Sequence, residues 1–253
     1  MTLIIALKCK NGTVIASDGR IVVGDIFRTD QKIYQISKGV LVGLAGSVGV
    51  IKRVVKALTG LGITNLDDER EIQRIEETLA GVYAYHRRIY ENNYDSRKDF
   101  DERFNGVLLA VDKDNIYKFF YDGYPEPCGN YEAIGSASGY VLTLLQEFYD
   151  EDIDIEKGLE LCVYCIYQAM KVSRDIGEPI QLGVATEEGA RILEEEEVNK
   201  LVESVHRKEK LLRNIWGIIS RDLKAQDELE KWVQEKLTAL TKSNSVQESQ
   251  QKA

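Results

Sequence analysis

Apolar positions fall in short blocks at the start of the chain. Thr2-Leu-Ile-Ile-Ala-Leu7 turns at Asn11-Gly12 and returns as Thr13-Val-Ile-Ala-Ser-Asp18, the pattern of a β-hairpin. Gly19 to Thr29 reads as a loop or irregular strand, Gln31 to Ile36 alternates like a half-buried strand, and Val40 to Ala45 is a continuous apolar strand. After Gly46-Ser47-Val48-Gly49 the period lengthens. Val50 to Leu58 and Asp67 to Asn92 predict helices, the second carrying Ile72, Ile75, Leu79, Val82 and Tyr83 at three-and-four spacing behind an acidic first turn. Strands return at Asn105 to Val111, Ile116 to Tyr121 and Tyr131 to Ile134, with a Gly/Pro loop running through Gly129. Gly135-Ser-Ala-Ser-Gly139 opens a helix over Tyr140 to Tyr149, and Ile155 to Arg174 predicts a fourth. Asp175-Ile-Gly177-Glu-Pro179 stops it ahead of a final strand, Ile180 to Thr186.

Segregated runs of strands and helices imply packed α and β layers with largely antiparallel sheets, an α+β fold in which two sheets lie between helices. The principal domain is expected over residues 1–193. Residues 194–241 differ: an apolar stripe that includes Val198, Leu201, Val205, Leu212, Ile215, Leu223, Val233, Leu237 and Leu240 predicts one or two amphipathic helices. They either pack on their own domain or form an oligomer contact, Trp216 and Trp232 offering apolar area to cover. Residues 242–253 form a polar tail without aromatics, expected to be disordered.

Charge narrows the possible functions. A net charge of -9 argues against nucleic-acid binding, which needs clustered Lys and Arg. No apolar run approaches a membrane span and no basic leader precedes one, so a cytoplasmic protein is expected. Cys162 and Cys165 form a C-x-x-C, but inside an amphipathic helical run rather than at a helix N-terminus, which favours core thiols over redox partners. With only His86 and His206 beside the cysteines, no zinc quartet is expected, and no phosphate-binding loop or other cofactor signature occurs.

The chemistry-bearing residue is Thr2. Aminopeptidase normally removes a methionine that precedes a small residue, so the mature chain is expected to begin with a threonine carrying a free amine and a hydroxyl. An alcohol is a poor nucleophile, but an adjacent α-amine with a pKa of about 7.7 to 8.0 can take its proton.

Around Thr2 a wider pattern assembles: Asn11-Gly12, Ala16-Ser17-Asp18-Gly19-Arg20, Lys32-Ile33-Tyr34, Ala45-Gly46-Ser47-Val48-Gly49, Ile134-Gly135-Ser136-Ala137-Ser138 and Arg174-Asp175. In order and strand context these pieces resemble a proteasome β subunit, a member of the N-terminal nucleophile (Ntn) hydrolases, over roughly the first 186 residues. The resemblance implies a four-layer αββα sandwich and an acyl-enzyme route to peptide or amide cleavage. It implies Thr2 as nucleophile, Lys32 as a cation beside the hydroxyl, Asp18 as the partner orienting that lysine, and Gly46 as oxyanion donor. Ser136 and Asp175 match positions that hold the threonine amine and its hydrogen-bond network. Taken alone, Lys32 fits an exposed strand lysine, Asp18 and Asp175 fit turn acids, and Ser136 fits a helix N-cap.

Two departures stand out. Glu178 occupies the place of a second serine, and the stretch from Asp18 to Lys32 is two residues shorter than the common spacing. The first specificity pocket would be lined by Ile21, Leu44 and Val48 with Asp30 at the rim, an apolar pocket favouring large hydrophobic side chains. The resemblance further implies a homo-oligomer, possibly ring-shaped, acting on peptides or unfolded proteins, with any ATP-dependent unfoldase supplied separately. Two alternatives stay open: a peptide ligase or transpeptidase on the same fold, and a non-catalytic scaffold that keeps Met1.

Overall fold

The computed structural model describes residues 2–23, 26–91, 106–220 and 226–236. The Asn-Gly signal does close a hairpin: β1 (Leu3–Cys9) pairs antiparallel with β2 (Gly12–Asp18). The stretch after Asp18, expected as a loop or irregular strand, instead forms a second hairpin of β3 (Arg20–Val23) and β4 (Ile26–Thr29), a small sheet of its own. Every residue of β4 is exposed, so no buried face imposes the alternation by which a strand is read from sequence.

The chain continues through β5 (Ile33–Gln35), β6 (Leu41–Ala45), α1 (Val48–Thr59) and α2 (Glu69–Glu91). Next come β7 (Val107–Val111), β8 (Ile116–Phe120), β9 (Pro125–Pro127) and β10 (Tyr131–Gly135). The expected Gly/Pro loop thus contains a strand, β9, which pairs with β8 at the sheet's edge, where proline's missing N–H does no harm. Helices α3 (Ser138–Phe148) and α4 (Ile155–Val172) follow, and Asp154 caps α4 by accepting the Lys157 N–H at 2.8 Å. β11 (Ile180–Thr186) is not the last strand; it turns into β12 (Gly189–Ile192) before α5 (Glu195–Ile219).

One five-stranded sheet has the order β10-β1-β2-β11-β12 and the other β5-β6-β7-β8-β9, with every pairing antiparallel. β1 serves two cores at once. Ile4 and Ala6 join Ile15, Ile33, Leu41 and Leu109 between the sheets. Leu3, Ile5 and Leu7 point the other way and are just as buried, under α3 and α4. A strand covered on both faces is apolar throughout, which explains the unbroken run after Thr2. On the far side Val42, Leu44, Leu108 and Phe119 pack against Val50, Val54 and Leu58 of α1 and Ile75, Leu79 and Val82 of α2. The layers are helix, sheet, sheet, helix, the four-layer α+β sandwich expected. Each fully buried Leu or Ile contributes about 1.5–3 kcal/mol, so these cores hold the ends of β1, β2, β5 and β6, where the site lies, firmly in place.

The chain divides into two compact units, Met1–Val202 and Glu203–Ala253. In the second unit α5 continues to Ile219 and residues 226–236 are helical, with Leu212, Trp216 and Trp232 exposed. Leu223, Leu237, Leu240 and the expected disordered tail, 242–253, lie outside the described residues, as do Met1, Asn92 and Asn105. No helix among the described residues is long and apolar enough to cross a membrane.

Candidate active site

Thr2 precedes β1 and is buried at 8% exposure. Two backbone bonds fix it. Its carbonyl accepts the Ser136 N–H at 2.7 Å, and the next amide, Leu3 N–H, donates to Asp18 Oδ1 at 2.9 Å. The first bond depends on Gly135, paired with Leu3 at φ +91°, where an added Cβ would stand 2.0 Å from the Thr2 carbonyl oxygen. Only glycine allows so close an approach in that conformation.

Asp18, at the end of β2, and Lys32, just before β5, form an ion pair with Nζ 2.7 Å from Oδ1 and exposures of 0% and 3%. Lys32 Nζ also donates to the Arg20 carbonyl at 2.6 Å. Asp18 Oδ2 accepts the backbone N–H groups of Arg20 at 3.2 Å and Gly177 at 3.3 Å. Burial pushes the Lys32 ammonium below the usual lysine pKa; Asp18 and Asp30 pull it back up, and Arg20 adds to the depression. A cation is thereby fixed at the edge of the cleft that Thr2 lines. The solvated strand lysine and the turn acid that these residues suggest in isolation are not what forms.

Of the other expected site residues, Ser136 reaches Thr2 through its backbone, and Gly46, exposed and at φ +148°, lines the same cleft. Asp175 stands in the α4–β11 connection, whose neighbouring residues meet the site from behind: Arg174 O accepts from Arg20 Nη1 at 2.9 Å and Gly177 donates to Asp18. Among the described residues no hydrogen bond joins Asp175 to Thr2 or Ser136. Glu178, in place of a serine, accepts from Tyr167 on α4 at 2.7 Å. Cys162 and Cys165 are free thiols buried on α4; burial pushes the Cys165 thiol up to about 12, which keeps it protonated and unreactive.

Ile21, Val48 and Asp30 line the cleft as expected, whereas Leu44 does not. Leu44 is 0% exposed, in the core beneath α1 and α2. Its place at the cleft is taken by Tyr34, Gln31 and Ile51. A further residue, Gln181 on β11, acquires a role not assigned from sequence. Its Oε1 accepts Lys32 N–H at 2.8 Å and Ile33 N–H at 3.4 Å, while Nε2 donates to Asp30 O at 2.7 Å, so one side-chain amide clamps the backbone on both sides of Lys32. The signal was there: a glutamine inside an otherwise apolar strand needs partners.

The sequence profile of the family described as "Proteasome subunit" matches residues 2–185. The proteasome subunit beta of Methanosarcina barkeri is 28% identical over 206 residues, covering 79% of this chain and 93% of that protein. That of Methanohalophilus mahii is 28% identical over 213 residues, covering 81% and 95%. Among solved structures, Anbu (ancestral beta-subunit) from Yersinia bercovieri superposes with a TM-score of 0.68 at 16% identity, covering 85% of this chain and 97% of that one, a likeness of fold.

Proposed function

Because this chain belongs to the proteasome subunit family, we propose that it is a threonine-type peptidase whose nucleophile is Thr2, freed by loss of Met1. The α-amine of Thr2 takes the hydroxyl proton as Oγ1 bonds to the scissile carbonyl carbon. The resulting oxyanion is stabilised by the Gly46 N–H, an interaction of the kind whose removal costs about 3 to 4 kcal/mol in barrier. Collapse expels the amine half of the substrate, which leaves with that proton, and water then hydrolyses the ester on Thr2. Lys32 favours the alkoxide, and Asp18 holds the lysine charged and in position. Ser136 and Asp175 are assigned to the surroundings of the amine.

The observation that carries this reading is the Lys32–Asp18 pair, 2.7 Å apart, buried, and bonded to the residue that follows Thr2. Buried ion pairs add little net stability, which points to a chemical rather than structural reason for this one. The same proposal extends to a homo-oligomeric, ring-like assembly in the cytoplasm that encloses the sites and is fed by a separate ATP-dependent unfoldase, with residues 194–241 a helical extension to the catalytic domain. The test pairs intact mass with peptide hydrolysis. The expected result is a mass lacking methionine, measurable turnover, and a Thr2→Ala variant that unfolds at the same temperature with no turnover. Turnover surviving in that variant overturns the mechanism. Retained Met1 points instead to the scaffold, and product formed with an added amine rather than water to a ligase.

A further inference from the structure

We propose that the cleft beside Thr2 selects a positively charged side chain, lysine or arginine, on the residue whose carbonyl is attacked, and that Asp30 is the group that selects it. The inference rests on Thr2 being the nucleophile and names a substrate class for that site. Two carboxylates, those of Asp18 and Asp30, act on the Lys32 ammonium against the burial that lowers its pKa. The first is fully engaged. Asp18 is 0% exposed, its Oδ1 accepting from Lys32 Nζ and Leu3 N–H and its Oδ2 from the Arg20 and Gly177 N–H groups. The second is available. Asp30 is half-buried and its Oδ1 accepts the Gln31 N–H at 2.8 Å, while among the described residues its Oδ2 accepts no hydrogen bond.

Backbone bonds on both sides fix where that carboxylate stands. Asp30 N–H donates to Gly19 O at 3.0 Å, and its carbonyl accepts Gln181 Nε2 at 2.7 Å. Burial and then the Asp30 charge push the Tyr34 phenol above the ordinary tyrosine pKa, so Asp30 acts on two of the groups, Lys32 and Tyr34, that line the cleft with it. The Lys32 charge is matched by Asp18 at 2.7 Å. The Arg20 guanidinium is not part of the lining; it is bonded to Arg174 O and lies 4.9 Å from the centre of the Phe27 ring. Among the described residues, Asp30 therefore leaves the cleft with one unmatched negative charge. Ile21, Val48 and Ile51 supply an apolar wall along which the methylenes of a long basic side chain can lie while its head stays polar. The Tyr34 hydroxyl donates to the Gln31 carbonyl, which leaves its oxygen able to accept from such a head. Gln31 and Gly46 are exposed and Val48 is 37% exposed, so the cleft is open and does not bar a long side chain by size. A large apolar side chain would cover Asp30 without giving it a partner. With Leu44 withdrawn into the core, the preference for large hydrophobic side chains expected from Ile21, Leu44 and Val48 gives way to one for cations.

The probes are three tripeptide vinyl sulfones identical but for arginine, citrulline or norleucine next to the electrophile; citrulline keeps the shape of arginine without its charge. Thr2 Oγ1 adds to the terminal vinyl carbon, its proton ends on the neighbouring carbon, nothing leaves, and intact mass of the full-length protein gives the rate of adduct formation. Arginine is expected to label about tenfold faster than either neutral probe, more than an exposed ion pair gives, because Asp30 is half-buried and offers a charge-assisted hydrogen bond. That ratio should fall when salt is raised from about 50 mM to about 500 mM, since screening reaches an open cleft. Asp30→Asn is expected to bring the arginine-to-citrulline ratio within about twofold of unity, and Asp30→Glu to keep the preference. Citrulline or norleucine labelling as fast as arginine in the unaltered protein overturns the inference while Thr2 stands, whether or not the variants fold. A ratio unmoved by salt overturns its electrostatic basis, and an arginine preference that survives in Asp30→Asn overturns the role of Asp30. Labelling by none of the three, or labelling that persists in Thr2→Ala, overturns the nucleophile reading on which the inference rests.

Discussion

Replacing Lys32 by methionine removes one half of a pair whose exposures are 3% and 0%. Deleting one partner of a buried ion pair typically costs about 3–5 kcal/mol, because the other charge is left without compensation. Asp18 keeps three backbone donors, from Leu3, Arg20 and Gly177, so the cost is expected at the low end, about 3 kcal/mol. In a domain of this size that lowers the melting temperature by about 6–12 °C. Asp18→Asn should also destabilise at neutral pH, since it takes the carboxylate away from a buried lysine. Its pH dependence has a definite sign. Burial already holds the Lys32 pKa below its ordinary 10.5, and the asparagine takes away the carboxylate that pulls it up. The unfolded chain then binds the proton more tightly, so the stability of Asp18→Asn rises with pH, from the lowered folded pKa up to the unfolded value near 10.5. The double variant Asp18→Asn/Lys32→Met should lose less than the sum of the two single losses, because it leaves no uncompensated buried charge and the amide oxygen still accepts backbone N–H, yet show no Thr2 acylation. Urea unfolding of the four proteins between pH 6 and pH 10 measures all of this. If the double variant loses the sum of the single losses, the charges hold the fold together and their proposed chemical role lacks its main support.

Gln181→Leu should unclamp the Lys32 backbone and slow Thr2 acylation by about tenfold or more while costing about 1–3 kcal/mol in stability, with Gln181→Glu rescuing the two acceptor bonds but not the donor; adduct formation followed by mass checks it. Gly135→Ala places a Cβ against the Thr2 carbonyl oxygen at φ +91°, so a melting temperature several degrees lower and loss of Thr2 labelling are both expected from one methyl group.

Local pattern carried much of this architecture. The Asn-Gly turn and the two flanking apolar runs fix β1 against β2 in a register that puts Ser17 opposite Ile4 and leaves Asp18 beyond it, beside the Leu3 amide. The convergence of Asp18 and Lys32 was reachable only through the family's motif, because nothing in the spacing of an aspartate and a lysine in separate elements says they meet. Leu44 shows a different limit. It shares a face of the β5–β6 pair with Tyr34, and alternation along a strand identifies that face. Depth is another matter: Leu44 lies under α1 while Tyr34 reaches the cleft, and no periodicity distinguishes the two. β4 reads only as a loop or irregular strand, and β9 not at all, because an exposed hairpin and a proline-bearing edge strand both lack the alternating burial by which a strand is recognised.

The two bonds that fix Thr2 use its carbonyl and the amide that follows it, both on the part of the chain that removal of Met1 leaves intact. On the proposed mechanism, these contacts would therefore hold Thr2 in the same place before and after the amine is released. Cutting one peptide bond would then add the base to a residue already positioned by its own backbone.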